Sequence, residues 1–143
     1  MVDPNTLAEL LLAKLRMLPD IGARVYDGLV PAKVPTDASG IYIRPYIAVF
    51  AGLGADLPAE RDLTGLVDTT VLDWSPQTTV VGPDARICRL AAQQVAVALT
   101  NLRIGGGYLM PDPDAFRVTT PLTDSQVTPA RAFLPLQWRL ITN

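Results

Sequence analysis

Leucine and alanine return at helical intervals near the N-terminus, directly behind a capping signal. Asp3 has the type of an N-cap residue, and Pro4 suits a first helical position, where no backbone N–H is needed. Leu7, Leu10, Leu11, Ala13, Leu15 and Leu18 then form an apolar stripe, with Glu9, Lys14 and Arg16 off it. The pattern predicts an amphipathic helix that ends before Pro19 and packs on a sheet. A second helix is predicted to open at Gly82-Pro83-Asp84 and run to Leu102. Ile87, Leu90, Ala91, Val95, Ala98, Leu99 and Leu102 share one face, and Arg86, Arg89, Gln93 and Thr100 the other. Gly105-Gly106-Gly107 reads as its end, and Pro111 to Pro113 as a mobile connection.

Elsewhere the pattern changes to that of strands. Arg24 to Asp27 is a short candidate stopped by Gly28, and a loop with Pro31, Pro35, Ser39 and Gly40 follows. Tyr46 to Ala51 is apolar almost throughout, as a central strand covered on both faces would be. Thr69 to Val81 has the β-branched and aromatic content of a long strand. Ser75-Pro76 in its middle predicts a bulge or an edge position, where proline deletes one ladder hydrogen bond. Phe116 to Thr120 is a further short candidate. From Ala132 to Ile141 residues alternate, with Leu134, Leu136, Trp138 and Leu140 on one face and Phe133, Gln137 and Arg139 on the other. Pro135 favours a sheet edge at its own position. Gly52 to Gly65 reads as a long exposed arm. These elements predict one domain over residues 1–143, of α+β class: a largely antiparallel sheet of about four strands packed with two helices, carrying long loop arms.

Composition supports a single core and narrows the chemistry. The 143 residues are 49% hydrophobic and 18% charged, within the range of folded domains. A net charge of −2 gives no general phosphate-binding surface, so nucleic acid is not an expected partner for recognition. Lys14 and Lys33 are the only lysines, a bias toward arginine that suits bidentate protein contacts but that a GC-rich genome also produces. The single cysteine, Cys88, excludes an intrachain disulfide, and the lack of histidine removes imidazole chemistry. Asp3 near the start, and Glu9 and Lys14 within the first apolar run, fit neither a signal peptide nor a membrane span. The expected place of synthesis and assembly is the cytoplasm of the producing cell.

The candidate sites for chemistry are weak. Gly52-Leu53-Gly54 follows a strand, but Leu57 stands where a dinucleotide-binding turn needs its third glycine. Asp112, Asp114 and Asp124 lack the alternation and final glutamate of a calcium loop. Glu9 and Glu60 are the only glutamates and the aspartates are scattered singly, so no acid–base pair is indicated. Cys88 has no base to activate it and reads as a small buried hydrophobe. Trp74 and Trp138 fit a core or a subunit interface equally. The expectation is therefore a protein that is not an enzyme, with no catalytic residue, no cofactor and no metal. A small hydrolase or acyltransferase, and a peptide-binding module working through an exposed sheet edge, are the rival classes.

The order of parts is similar to that of the tail terminator, or tail completion, proteins of non-contractile long-tailed bacteriophages of the actinobacterial type. The segments that carry the likeness are Tyr46 to Gly54, Asp73 to Arg86 with the helix that follows to Leu102, and Gln126-Val127-Thr128-Pro129 through to Thr142. The resemblance implies an α+β subunit of a hexameric ring at the head-proximal end of the virion tail. There it would stop tube polymerisation and join the tail to the head. The implied partners are further copies of the chain, the major tail tube protein and the head–tail connector or neck protein, with genomic DNA only passing through the pore and no membrane contact. A neck ring subunit of the same junction is the alternative. A ring needs a heterologous contact, one patch meeting a different patch on the neighbour. Arg61 and Asp62 in the first arm, and Arg103 and Asp112 around the second, are the candidate interface residues.

Overall fold

The computed structural model describes residues 3–56, 72–115 and 117–142, and in them two helices cover one face of a curled, mixed sheet. Helix α1 (Pro4–Arg16) is capped by Asp3, whose carboxylate accepts from the Asn5 N–H at 3.2 Å. It buries Leu7, Leu11, Leu12 and Leu15. Leu10 and Ala13 of the expected stripe face solvent instead, because the i, i+4, i+8 row Leu7, Leu11 and Leu15 is the one turned to the core, with Leu12 buried beside it. Helix α2 (Ala85–Leu99) starts with the Asp84 carboxylate accepting from the Ile87 N–H at 2.9 Å. Its buried row is Cys88, Ala91, Ala92, Val95 and Leu99, which leaves Leu90 half exposed. The helix ends at Leu99; Leu102 already belongs to a strand.

The expected sheet of about four strands is overturned. Nine strands form it among the described residues: β1 (Val25–Asp27), β2 (Tyr46–Phe50), β3 (Ala55–Asp56), β4 (Leu72–Trp74), β5 (Gln77–Gly82), β6 (Leu102–Ile104), β7 (Gly107–Pro111), β8 (Leu122–Asp124) and β9 (Arg131–Ile141). The main path is β1-β2-β5-β9-β4-β3, with β1 and β2 parallel and the other pairs antiparallel. Most of these strands span only two to six residues, too few for a period of two to show in the sequence.

Two differences have a local cause. Gly105 and Gly106, at φ 59° and 87°, form the two-residue turn of a β6–β7 hairpin; twin positive φ values suit the right-handed strand twist, so this glycine run is not simply a helix end. Residues 117–119 are not a strand, and the short strand expected there lies at β8 instead.

Ser75-Pro76 divides the expected long strand into β4 and β5 without shifting its register against β9. The Trp138 N–H still donates to the Pro76 carbonyl at 3.0 Å, and only the bond that proline cannot donate is missing. The extra residue of a bulge sits on the other neighbour. Phe50 to Ala55 covers five steps of chain where Gln77 back to Asp73 covers four. Gly52-Leu53-Gly54 absorbs that residue. Gly54 has φ 74°, and a Cβ there would lie 2.7 Å from the Asp73 carbonyl oxygen.

The main core lies between the helices and the sheet. Val25, Ile47, Val80 and Leu134 line up across β1, β2, β5 and β9 on the face toward the helices. On the opposite face Tyr46 and Val81 are buried with Ile43, against partly buried Tyr26, Val34 and Phe133. The loop between β1 and β2 thus covers the second face of this half, and β2 is buried on both sides as expected. Each of the largest side chains so buried stabilises by roughly 1.5–3 kcal/mol. Both tryptophans are core residues: the Trp74 indole donates to the Gly52 carbonyl, and that of Trp138 to the Thr78 hydroxyl, each at 2.9 Å.

Candidate functional site

The half of the sheet formed by β6, β7, the end of β9 and β4 has one face on the core and the other open. In β7, Gly107 and Leu109 turn inward while Tyr108 and Met110 point out, 55% and 53% exposed. Arg103 stands opposite Tyr108, Met110 opposite Arg139, and Asp73 opposite Ile141. The Arg103 guanidinium lies 5.9 Å from the centre of the Tyr108 ring.

Arg139 is fixed in the middle of this face. Its Nε and one terminal nitrogen donate to the two Asp73 oxygens at 3.0 and 2.9 Å, and the other donates to Asp114 at 2.8 Å. The hydrogen bonds and charge of Asp73 hold the guanidinium pKa above its ordinary value. A fork-shaped donor on a carboxylate is rigid, so the surrounding apolar side chains are displayed on a fixed platform. This cluster was hidden in the sequence, since its members come from three separate segments. The exposed apolar residues were not: the alternation across Gly107 to Met110 contains the signal, masked by the preceding glycine run.

The four expected interface residues divide. Arg103 lies on the open face. Asp112 lies at the end of β7 with an internal role: its N–H donates to the Gln137 carbonyl at 3.0 Å, and its carboxylate accepts from the Asp114 N–H at 3.0 Å. Arg103 engages Tyr108, and among the described residues no ion pair joins it to Asp112. Arg61 and Asp62 lie outside the described residues.

A second apolar surface lies on the outward side of the helices, across the molecule from the open sheet face. Met17 and Val97 are 78% and 76% exposed there, and Leu90 is half exposed. They share a shallow groove with Lys14, Leu18 and Gln94. The open sheet face carries one tyrosine and two arginines among its apolar residues; the helix groove is aliphatic and edged by amides and one lysine. Two surfaces of different make, one on each side of the layer pair, suit a head-to-tail contact between copies.

Cys88 is fully buried, its thiol directed to the Val80 carbonyl, and burial pushes its pKa up to about 11. Among the described residues no three His, Cys, Asp or Glu side chains are grouped as a metal site, and no helix is long and apolar enough to cross a membrane. The sequence matches no protein-family model and no curated protein.

Proposed function

We propose that the chain is a structural subunit that assembles head to tail into a closed ring, in the manner of the phage tail terminators its sequence resembles. The observation that carries this reading is the pair of unlike apolar surfaces on opposite sides of one subunit: Tyr108, Met110 and Ile141 on the sheet, and Met17, Leu90 and Val97 on the helices. A two-fold dimer uses one self-complementary patch, whereas a ring needs two that differ. The buried, proton-bearing Cys88 and the tied-up Arg139 and Asp73 leave adhesion, not bond making, as the work of the exposed side chains. In this role the ring caps the tail tube at its head-proximal end and presents a surface to the head connector.

The test is electron microscopy of particles assembled without the protein. The reading predicts tubes of uncontrolled length that carry no head. Full heads beside separate tails of normal length would instead assign the subunit to the neck, and normal complete particles would remove it from the junction.

A further inference from the structure

Between Arg131 and Arg139 strand β9 has neighbours along both edges except at one place. On one edge β5 and β4 follow each other in a single register; on the other, β8 pairs Arg131 to Phe133 and β7 pairs Trp138 and Arg139. Between them Leu134, Pro135, Leu136 and Gln137 have a neighbour on the β5 side alone. Hydrogen-bonding directions alternate along an antiparallel strand, and the Trp138 N–H points to β5. The backbone groups of Pro135 and Gln137 therefore point away from β5, into the gap. The Gln137 carbonyl is taken by the Asp112 N–H. The Pro135 carbonyl and the Gln137 N–H have no partner among the described residues, and Pro135 has no N–H to leave unpaired.

The gap opens into a cleft of about 430 Å³ between β9, α2 and residues 117–119. Leu136, Ala92 and Ala96 give it an apolar floor, and Arg89 and Arg117 stand at its rim. No carboxylate lines it, and among the described residues neither guanidinium has a hydrogen-bond partner.

We propose that this cleft binds an extended, acidic peptide segment of another polypeptide, which completes the missing stretch of the sheet in parallel with β9. The orientation follows from which groups are open. In a parallel pair, one incoming residue donates its N–H to one residue of the strand and accepts from the N–H two positions further on. Pro135 C=O and Gln137 N–H are such a pair, flanking Leu136. An antiparallel segment would instead need both groups of Pro135 or both of Gln137; the first lacks a donor and the second has lost its acceptor to Asp112. The opening from Phe133 to Gln137 is about 13 Å long at strand rise, room for a few residues. Backbone pairing supplies the affinity of strand addition, and the two guanidiniums select carboxylate side chains.

The test is a nitrogen–proton NMR titration of the full chain with short blocked peptides alternating valine with aspartate or valine with lysine. The aspartate peptide is expected to shift the Gln137 amide and slow its exchange with solvent, and the lysine peptide to leave it unchanged. Arg89→Ala with Arg117→Ala, both exposed side chains, weakens the aspartate peptide at least about tenfold. Equal binding of both peptides would overturn the charge selection. An undisturbed Gln137 amide would overturn the strand addition, as would free acetate reproducing every shift. A spin label on the aspartate peptide's N-terminus is expected to broaden residues toward the Phe133 end of the gap; broadening toward the Arg139 end would contradict the parallel orientation.

Discussion

The two halves of the sheet are finished differently. Around β1, β2 and β5 both faces are covered, one by the helices and the other by the loop between β1 and β2, which packs Ile43 and Val34 on Tyr46. Around β6, β7 and the end of β9 the described residues supply one cover only, and Tyr108, Met110 and Ile141 are exposed. The first half holds itself together. The second is stable enough to display a face, through Leu109, Trp138 and Leu140 on its inner side and the Arg139–Asp73 fork on its outer side.

Single substitutions should separate the covered faces of both halves from the open face sharply. Trp138→Ala, which removes a buried indole and leaves the Thr78 hydroxyl without its donor, should cost about 3–5 kcal/mol in denaturant unfolding. Ile47→Ala in the doubly covered half should cost about 2–5 kcal/mol by the same measurement. Ile141→Ala on the open face should change stability by only about 0.5 kcal/mol. If Ile141→Ala were as damaging as Ile47→Ala, the open face would be part of the core and the contrast would fail.

Gly54→Ala tests the bulge where β2 passes into β3. It places a side chain at φ 74° and against the Asp73 carbonyl, so a loss on the order of 1–3 kcal/mol is expected in thermal or chemical melts. Gly52→Ala, whose Cβ would meet open space, is the control and should be milder.

The sequence made the regular parts legible and hid the short ones. Both helices announced themselves through Asp3 and Asp84 caps and long apolar periods, and β2 and β9 through an apolar run and an alternation. The error over Leu10 and Leu90 arose because a leucine at the border of a stripe looks like a member; the small residues Cys88 and Ala92 that truly face the sheet carry a weaker signal. The strand count failed where β3, β4, β6 and β8 have only two or three residues each. Their pairing is decided by neighbours far along the chain. The same holds for the candidate surface: Arg103 was within reach of loop reasoning, whereas Arg139 depends on Asp73 and Asp114, which only the folded sheet brings together.

Smaller effects follow from ionisation. Removal of the fork by Arg139→Met should lower stability only modestly in denaturant unfolding, and less in high salt, because the pair is only partly shielded from solvent. Cys88 should resist thiol reagents at neutral pH until the protein unfolds, as its pKa of about 11 and full burial require. Rapid labelling of the native protein would contradict that burial. Asp20 is held below the usual carboxylate range by the hydrogen bond and charge of Arg24, with Arg44 adding to them. Its stabilisation is therefore present above the unfolded carboxylate value of about 3.9 and lost as pH falls through the lower folded value. Loosening of the loop next to Arg44 below about pH 4, seen by hydrogen exchange, is the expected sign, and it should be slight because Asp20 is exposed.

The central claim is that the open sheet face and the helix groove are the two unlike halves of one contact. It is tested most directly by native mass spectrometry of two variants, Val97→Asp on the helices and Tyr108→Asp on the sheet, measured alone and mixed. The account predicts that each variant alone remains a monomer, and that the mixture forms a heterodimer through the one intact pair of faces and nothing larger. Rings formed by either variant alone, or a mixture that stays monomeric under conditions where the unaltered chain assembles, would contradict it.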